Sequence, residues 1–300
     1  MIPIAITVLL VLFLPAESLA WGPGFHLQLG TSLLGSLGSL PASVASLIGA
    51  FPNDFLYGSI AADITLGKKF THYLFHCHRW HVGKRLLEEA SSDSQRACAY
   101  GYISHLAADA VAHCYYVPIS TMRSYPAVAL NHAYWEVRFD SFVDPDLWNL
   151  GRRVALEHFE DNDQLLRQVI SNTLFSFNTN KRIFNSILLV NRLEKWQRLM
   201  SAMNDVSRHQ LNEDERSEMT LLSTEAVVGT LSDINSSPWL EADPTGEHAI
   251  KAAESVRKNL RILYQSGKIT KEAASVELES LKAKLKGAIL HPELLSQIVH

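Results

Sequence analysis

The sequence predicts an all-α fold, and three observations carry that expectation. His105, Asp109 and His113 recur at four-residue steps, and so do His132, Glu136 and Asp140; at 3.6 residues per turn such positions share one narrow stripe of a helix. Beyond residue 150, apolar residues recur at helical spacing in one segment after another. No stretch alternates apolar and polar residues as a half-buried strand would.

Composition sets the outer bounds. Three hundred residues, 47% apolar and 19% charged, describe a globular chain with an ample core, organised as one large domain or as a domain with an appendage. A net charge of -4 gives no basic footprint for duplex nucleic acid. Cys77, Cys98 and Cys114 cannot all pair with one another, and their spacing matches neither a thiolate zinc site nor a disulfide framework. They read as buried small apolar residues, with a single disulfide as the alternative.

The N-terminus reads as an address. An apolar run over residues 2–14 leads through Pro15 and Glu17 to Ser18-Leu19-Ala20, the form of an export signal cleaved after Ala20. A retained N-terminal anchor is the alternative, for which the run is short. Cleavage would leave a protein exported to the periplasm or the extracellular space, beginning with Trp21. Its free α-amine, with an ordinary pKa of about 8, deprotonates readily enough to serve as a metal ligand.

The helices follow in order. Pro41 sits where a helix can begin, with Val44, Ala45, Leu47 and Ile48 as its apolar side, and Pro52 and Asn53 interrupt it. A short segment then runs through Phe55, Leu56 and Ile60 to Asp63, a carboxylate among small apolar neighbours that is either a helix cap or a buried functional group. His72, His76, His78 and His81 precede the helical pattern of Val82, Leu86 and Leu87. Ser92 with Gln95 forms a capping box for the helix that carries His105, and Pro118 is expected to close that helix. Asn131 caps the helix carrying His132. Further helices are expected over residues 152–159, 164–177, 181–203 and 215–229. A linker-like stretch at 236–246 leads into two helices separated by Gln265-Ser266-Gly267-Lys268, with Thr270 capping the second.

Residues 101–140 read as chemistry. The two columns of imidazole and carboxylate are either solvated polar faces or metal ligands. Their neighbours, among them Leu106, Ala110, Val111, Trp135 and Phe139, are apolar, and buried ionisable groups require partners or a metal. Imidazole and carboxylate are the zinc ligands used when thiolate is absent.

With Trp21, His26, Asp63, His72, His105-x3-Asp109, His113 and His132-x3-Glu136 in view, residues 21–143 resemble the zinc-dependent phospholipase C family and its relatives, the zinc-dependent single-strand nucleases. The resemblance implies an all-helical bundle with a metal cleft holding three zinc ions, and hydrolysis of phosphodiesters. It implies one ion on Asp63, His72, His105 and Asp109, and a second on His113, His132 and Glu136. The third would take the Trp21 α-amine and carbonyl with His26, and Asp109 would bridge it to the first. His76 and His78 stand as substitutes for His72. Asp63 is implied as the residue that orients or deprotonates the attacking water. Asp140 falls outside the ligand set and supports the site indirectly or caps a helix.

Two details of spacing qualify the likeness. The five-residue step from Trp21 to His26 is similar to the nuclease branch. The four-residue step from Asp109 to His113 is similar to the zinc-binding part of glycosylphosphatidylinositol-specific phospholipase D. The expected protein is thus an exported phosphodiesterase acting on a phospholipid or other phosphodiester, with peripheral membrane contact through Tyr115, Tyr116 and Tyr125 unless these pack between helices. A single-strand nuclease acting on nucleic acid, and a non-catalytic zinc-binding module, are the alternatives. The expected organisation is a signal peptide at 1–20, a helical zinc-dependent phospholipase C-like domain at 21–235 and a linker with a C-terminal helical hairpin at 236–300.

Overall fold

The computed structural model describes residues 21–65, 77–126, 132–156, 159–170, 175–191 and 211–299, and every regular element among them is helical. The expected export signal, His72, His76 and Asn131 lie outside the described residues. In chain order the helices are α1 (Pro23–Leu34), α2 (Ala42–Ala50), α3 (Pro52–Ala61), α4 (Trp80–Glu89), α5 (Asp93–Val111), α6 (Val117–Arg123), α7 (His132–Asp140), α8 (Pro145–Leu156), α9 (Glu160–Val169), α10 (Phe177–Asn191), α11 (Glu213–Ser232), α12 (Glu247–Gln265), α13 (Lys271–Ala288) and α14 (Ser296–Val299). No helix among the described residues is long and apolar enough to cross a membrane. The backbone divides into two compact units, residues 1–106 with 132–210, and residues 107–131 with 211–300.

In the first unit, α1 packs on α3, α7 and α8, and α10 packs on α8 and on the 3-10 turn Ala62–Ile64. The crossing of α3 with α5 is set by two glycines. A Cβ at Gly58 would lie 1.9 Å from the Cys98 carbonyl oxygen, and one at Gly101 would lie 2.0 Å from that of Phe55. Only glycine lets the two backbones meet at that separation. The capping box forms much as expected: the Gln95 amide donates to Ser92 Oγ at 3.2 Å, while Gln95 Oε1 accepts from the Ser91 amide at 2.8 Å.

The helix carrying His105 does not stop at Pro118. It widens into a π-turn over Ala112–Tyr116 and continues as α6 to Arg123. The widened turn bonds the Val117 amide to the Ala112 carbonyl five residues back, which relieves the backbone where proline has no N–H to offer. The expected helix over 164–177 likewise divides: α9 ends at Val169, Ile170 turns extended with ψ 94°, and α10 begins only at Phe177.

In the second unit, α12 and α13 both pack against α6, and α13 also meets the π-turn. Thr270 caps α13 as expected, its Oγ1 accepting from the Ala273 amide at 3.2 Å. Tyr115, Tyr116 and Tyr125 are all buried. They pack between helices, so the expected membrane contact through them is withdrawn. All three cysteines are buried, and none forms a disulfide among the described residues.

Candidate metal centre

Residues 101–122 are buried without exception, so the polar groups that this run carries cannot be a solvated face. His105 and Asp109 have no exposed surface, and His113 retains 5%. A helix that is apolar around its whole circumference belongs in a core, and imidazoles and a carboxylate placed there need partners or an ion.

Three elements of the first unit bring side chains to His105. Helix α1 supplies His26, whose ring stacks on the His105 ring at a 3.8 Å centroid separation and an interplanar angle of 18°. The 3-10 turn after α3 supplies Asp63, which is buried and faces His105 Nε2 with Oδ1 at 3.9 Å. That settles the alternatives for Asp63 in favour of a buried group over a cap. The segment before α4 supplies His78, with Nε2 at 3.4 Å from Asp63 Oδ1 and 3.0 Å from His105 Nε2. Of the clustered histidines, His78 is the one that the described residues place in this group.

Hydrogen bonding fixes which nitrogen of His105 is available. Its Nδ1 lies 2.9 Å from the Ser59 carbonyl, and a carbonyl can only accept, so Nδ1 carries the proton and Nε2 presents its lone pair. This is how a metal-binding imidazole is held in orientation. Ser59 follows Gly58, so the close glycine crossing of α3 and α5 also aims this ring.

The donor set fits zinc. A tetrahedral ion with ligands at 2.0–2.1 Å separates its ligand atoms by about 3.3 Å, and the separations among Asp63 Oδ1, His78 Nε2 and His105 Nε2 are 3.0, 3.4 and 3.9 Å. His26, Asp63 and His105 also offer ligand atoms within 4.8 Å of one another. Asp109 lies one turn beyond His105 on the same helix α5 and is wholly buried.

Trp21 is fully buried, its ring 4.3 Å from that of Phe139 and 4.7 Å from that of Phe25. Glu136 is buried on α7, and His132 is the first residue of that helix. Asp140, at the end of α7, accepts from the amides of Gly24 at 3.1 Å and Phe25 at 3.0 Å. It supplies the carboxylate cap that the first turn of α1 lacks in its own sequence. Burial pushes the Asp140 carboxyl up to about 7, with Asp63 adding to the shift and the two amide bonds opposing it.

His113 sits in the π-turn of the second unit, a backbone form common at functional sites. Its Nδ1 donates to the Pro244 carbonyl, leaving Nε2 as the lone-pair nitrogen. Cys114, whose thiol burial pushes up to about 12 with help from Asp243, donates to the Asp243 carbonyl. Gly246, at φ 57°, closes this turn so tightly that a Cβ there would meet His113 Cβ and its carbonyl oxygen at 2.4 Å. Sequence reasoning missed Pro244, because a backbone carbonyl leaves no side-chain signature.

A family model described as zinc dependent phospholipase C matches residues 25–186, more than half of the chain. The chain belongs to this family. The matched stretch of this zinc-dependent phospholipase C family member contains His26, Asp63, His78 and His105 as well as the π-turn, and it ends before α11, α12 and α13. No curated protein and no solved structure matches the chain.

Proposed function

We propose that the protein is an exported zinc-dependent phosphodiesterase that hydrolyses phospholipids in the manner of a phospholipase C, releasing diacylglycerol and a phosphorylated head group. The observation that carries the reading is the buried triangle of Asp63, His78 and His105 at zinc-ligand separations, within the stretch matched by the family. Three ions in a chain with its own ample core are better explained by catalysis than by structural support.

In this reading Asp63, His78, His105 and Asp109 hold one ion, with His78 preferred to His72 because it faces both Asp63 and His105. The family resemblance would assign His113, His132 and Glu136 to a second. The Trp21 α-amine and carbonyl with His26 would hold a third, with Asp109 serving it as well as the first. Bound zinc would neutralise phosphate oxygens, acidify a water and stabilise the leaving oxygen. Ser59 and Pro244 fix the tautomers of His105 and His113 through their carbonyls. Asp63 would orient the water, whose oxygen bonds to phosphorus as the phosphorus–oxygen bond to glycerol breaks; the water gives up a proton and the glycerol oxygen gains one, leaving as an alcohol.

The test is metal-dependent release of phosphorylated head group from phosphatidylcholine, phosphatidylethanolamine and phosphatidylinositol by the mature protein with a native Trp21 terminus. Absence of chelator-sensitive release from all three would remove the reading, and digestion of single-stranded DNA or RNA instead would favour the nuclease alternative. Metal analysis should find three zinc ions, and two when a tag is left on Trp21, since the tag converts the α-amine into an amide.

A further inference from the structure

Helix α12 ends in apolar residues that its own unit covers only in part, the Tyr264 ring meeting that of Tyr125 edge-on at 5.4 Å. Ile262, Leu263 and Tyr264 are 55%, 38% and 38% exposed. Three consecutive residues of a helix point about 100° apart, so no single packing partner within the fold could take all of them. The turn that follows is ordered: Gly267 takes φ 69°, the Lys268 amide bonds the Leu263 carbonyl at 2.9 Å and the Gly267 amide bonds that of Tyr264 at 3.1 Å. Such bonds close a helix end firmly, so the apolar tip is presented on a rigid support.

Charge surrounds this tip. Residues 257–272 contain Arg257, Lys258, Arg261, Lys268 and Lys271 against the single acid Glu272, in a chain whose net charge is -4. Arg257 is held by Ser124, its Nε donating to Oγ at 2.9 Å. Lys258, Lys268 and Lys271 are exposed. An apolar tip on a helix and turn that carry exposed lysines is complementary to one kind of surface: acyl chains accept the apolar side chains while anionic lipid phosphates meet the ammonium groups. A second copy would bring two basic clusters together. A protein partner would normally cover roughly 800 Å², more than three half-exposed side chains offer.

We propose that the α12–α13 tip is an anchor that docks the protein on an anionic phospholipid surface, with Ile262, Leu263 and Tyr264 entering the acyl boundary and Lys258, Lys268 and Lys271 meeting the lipid phosphates. This supplies the surface contact that a phospholipid-hydrolysing reading calls for, and its meaning rests on that reading, although its test does not. The tip lies beyond the residues matched by the family, so it is a property of this chain's C-terminal region.

Flotation of the full mature chain with vesicles tests the proposal, using phosphatidylcholine alone and equal parts phosphatidylcholine and phosphatidylglycerol. Binding is expected to the mixed vesicles only, weakening as salt rises. The triple variant Ile262→Ser, Leu263→Ser, Tyr264→Ser is expected to bind at least about tenfold more weakly. The variant Lys258→Gln, Lys268→Gln, Lys271→Gln should bind about a hundredfold more weakly, at roughly fivefold per lysine. Both should keep the wild-type helical circular dichroism and unchanged hydrolysis of a dispersed short-chain phospholipid. Wild-type protein that ignores anionic vesicles, variants that bind as wild type does, or a concentration-dependent dimer abolished by the serine substitutions without vesicle binding, would each overturn the proposal. Loss of hydrolysis of the dispersed substrate by the wild-type protein would instead count against the phospholipase reading alone.

Discussion

His78 Nε2 and His105 Nε2 face one another at 3.0 Å, both rings buried, with the Asp63 carboxylate at 3.4 Å from the first and 3.9 Å from the second. His105 Nε2 is a lone-pair nitrogen because its Nδ1 is committed to the Ser59 carbonyl. The pairing therefore joins an acceptor to a partner that a shared cation could replace. His78→Ala is expected to weaken zinc binding at least about a hundredfold, beyond the loss typical of substituting a residue that only supports a ligand. His72→Ala and His76→Ala are expected to bind zinc as wild type does. Zinc content after dialysis against a graded chelator checks this, and a His78→Ala protein with full zinc content would return the assignment to His72 or His76.

How far the site was legible in the sequence depended on how local its signals are. That His105 and Asp109 share α5, and Glu136 and Asp140 share α7, could be read because spacing along one helix is fixed by the helix itself. The capping box of Ser92 and Gln95 was legible for the same reason. The place of His78 beside Asp63 and His105 was not, because four histidines in ten residues carry equal side-chain signals and only tertiary placement separates them. The aromatic burial of Tyr115, Tyr116 and Tyr125 depends on α11, α12 and α13, which are distant in sequence. Pro118 misled because a proline normally ends a helix, and the π-turn that accommodates it has no simple sequence pattern.

Asp140 gives the second prediction. It caps α1 from 115 and 116 residues away, at Phe25 and Gly24 respectively, and its removal would leave two amides of a buried helix start without their acceptor. Asp140→Ala is expected to destabilise the protein by about 1–3 kcal/mol, from loss of a cap and of buried hydrogen bonds. Asp140→Asn keeps one acceptor oxygen and should recover about half of that. Urea denaturation of the three proteins at one pH measures the series, and equal midpoints would show that the cap contributes nothing.

Gly246 and Gly267 form a matched pair. Both have positive φ, 57° and 69°, but a Cβ at Gly246 would strike the backbone and Cβ of His113, whereas one at Gly267 meets nothing within 4 Å. Gly267→Ala should therefore reveal the backbone strain alone, about 1 kcal/mol. Gly246→Ala adds displacement of the π-turn and should destabilise by about 2–4 kcal/mol. It should also shift the His113 imidazole NMR signals, because Pro244 orients that ring. Unequal thermal stability with Gly246→Ala the lower is the expected outcome, and equal losses would mean that the turn does not press on His113.

Glu218 gives the pH dependence. It accepts from Lys286 at 2.8 Å and from the Tyr115 hydroxyl at 3.1 Å, and pairs with Lys282 at 2.9 Å. Burial pushes its carboxyl up, but the two ammonium groups overcome this and hold it at about 2, below its ordinary value of 4.5. A carboxyl depressed by folding binds its proton more weakly in the native state, so its contribution is fully present above the ordinary value. It is lost as pH falls from about 4.5 towards 2. With a quarter of the side chain exposed, solvent screening reduces the effect, and Glu218→Gln is expected to lose about 1 kcal/mol at neutral pH. Its denaturation midpoint should converge on that of wild type as acid is added, because the wild-type protein then loses the same charge. Midpoints that remain equally far apart between pH 7 and the acid limit of folding would show that the glutamate acts through packing and not through its ion pairs.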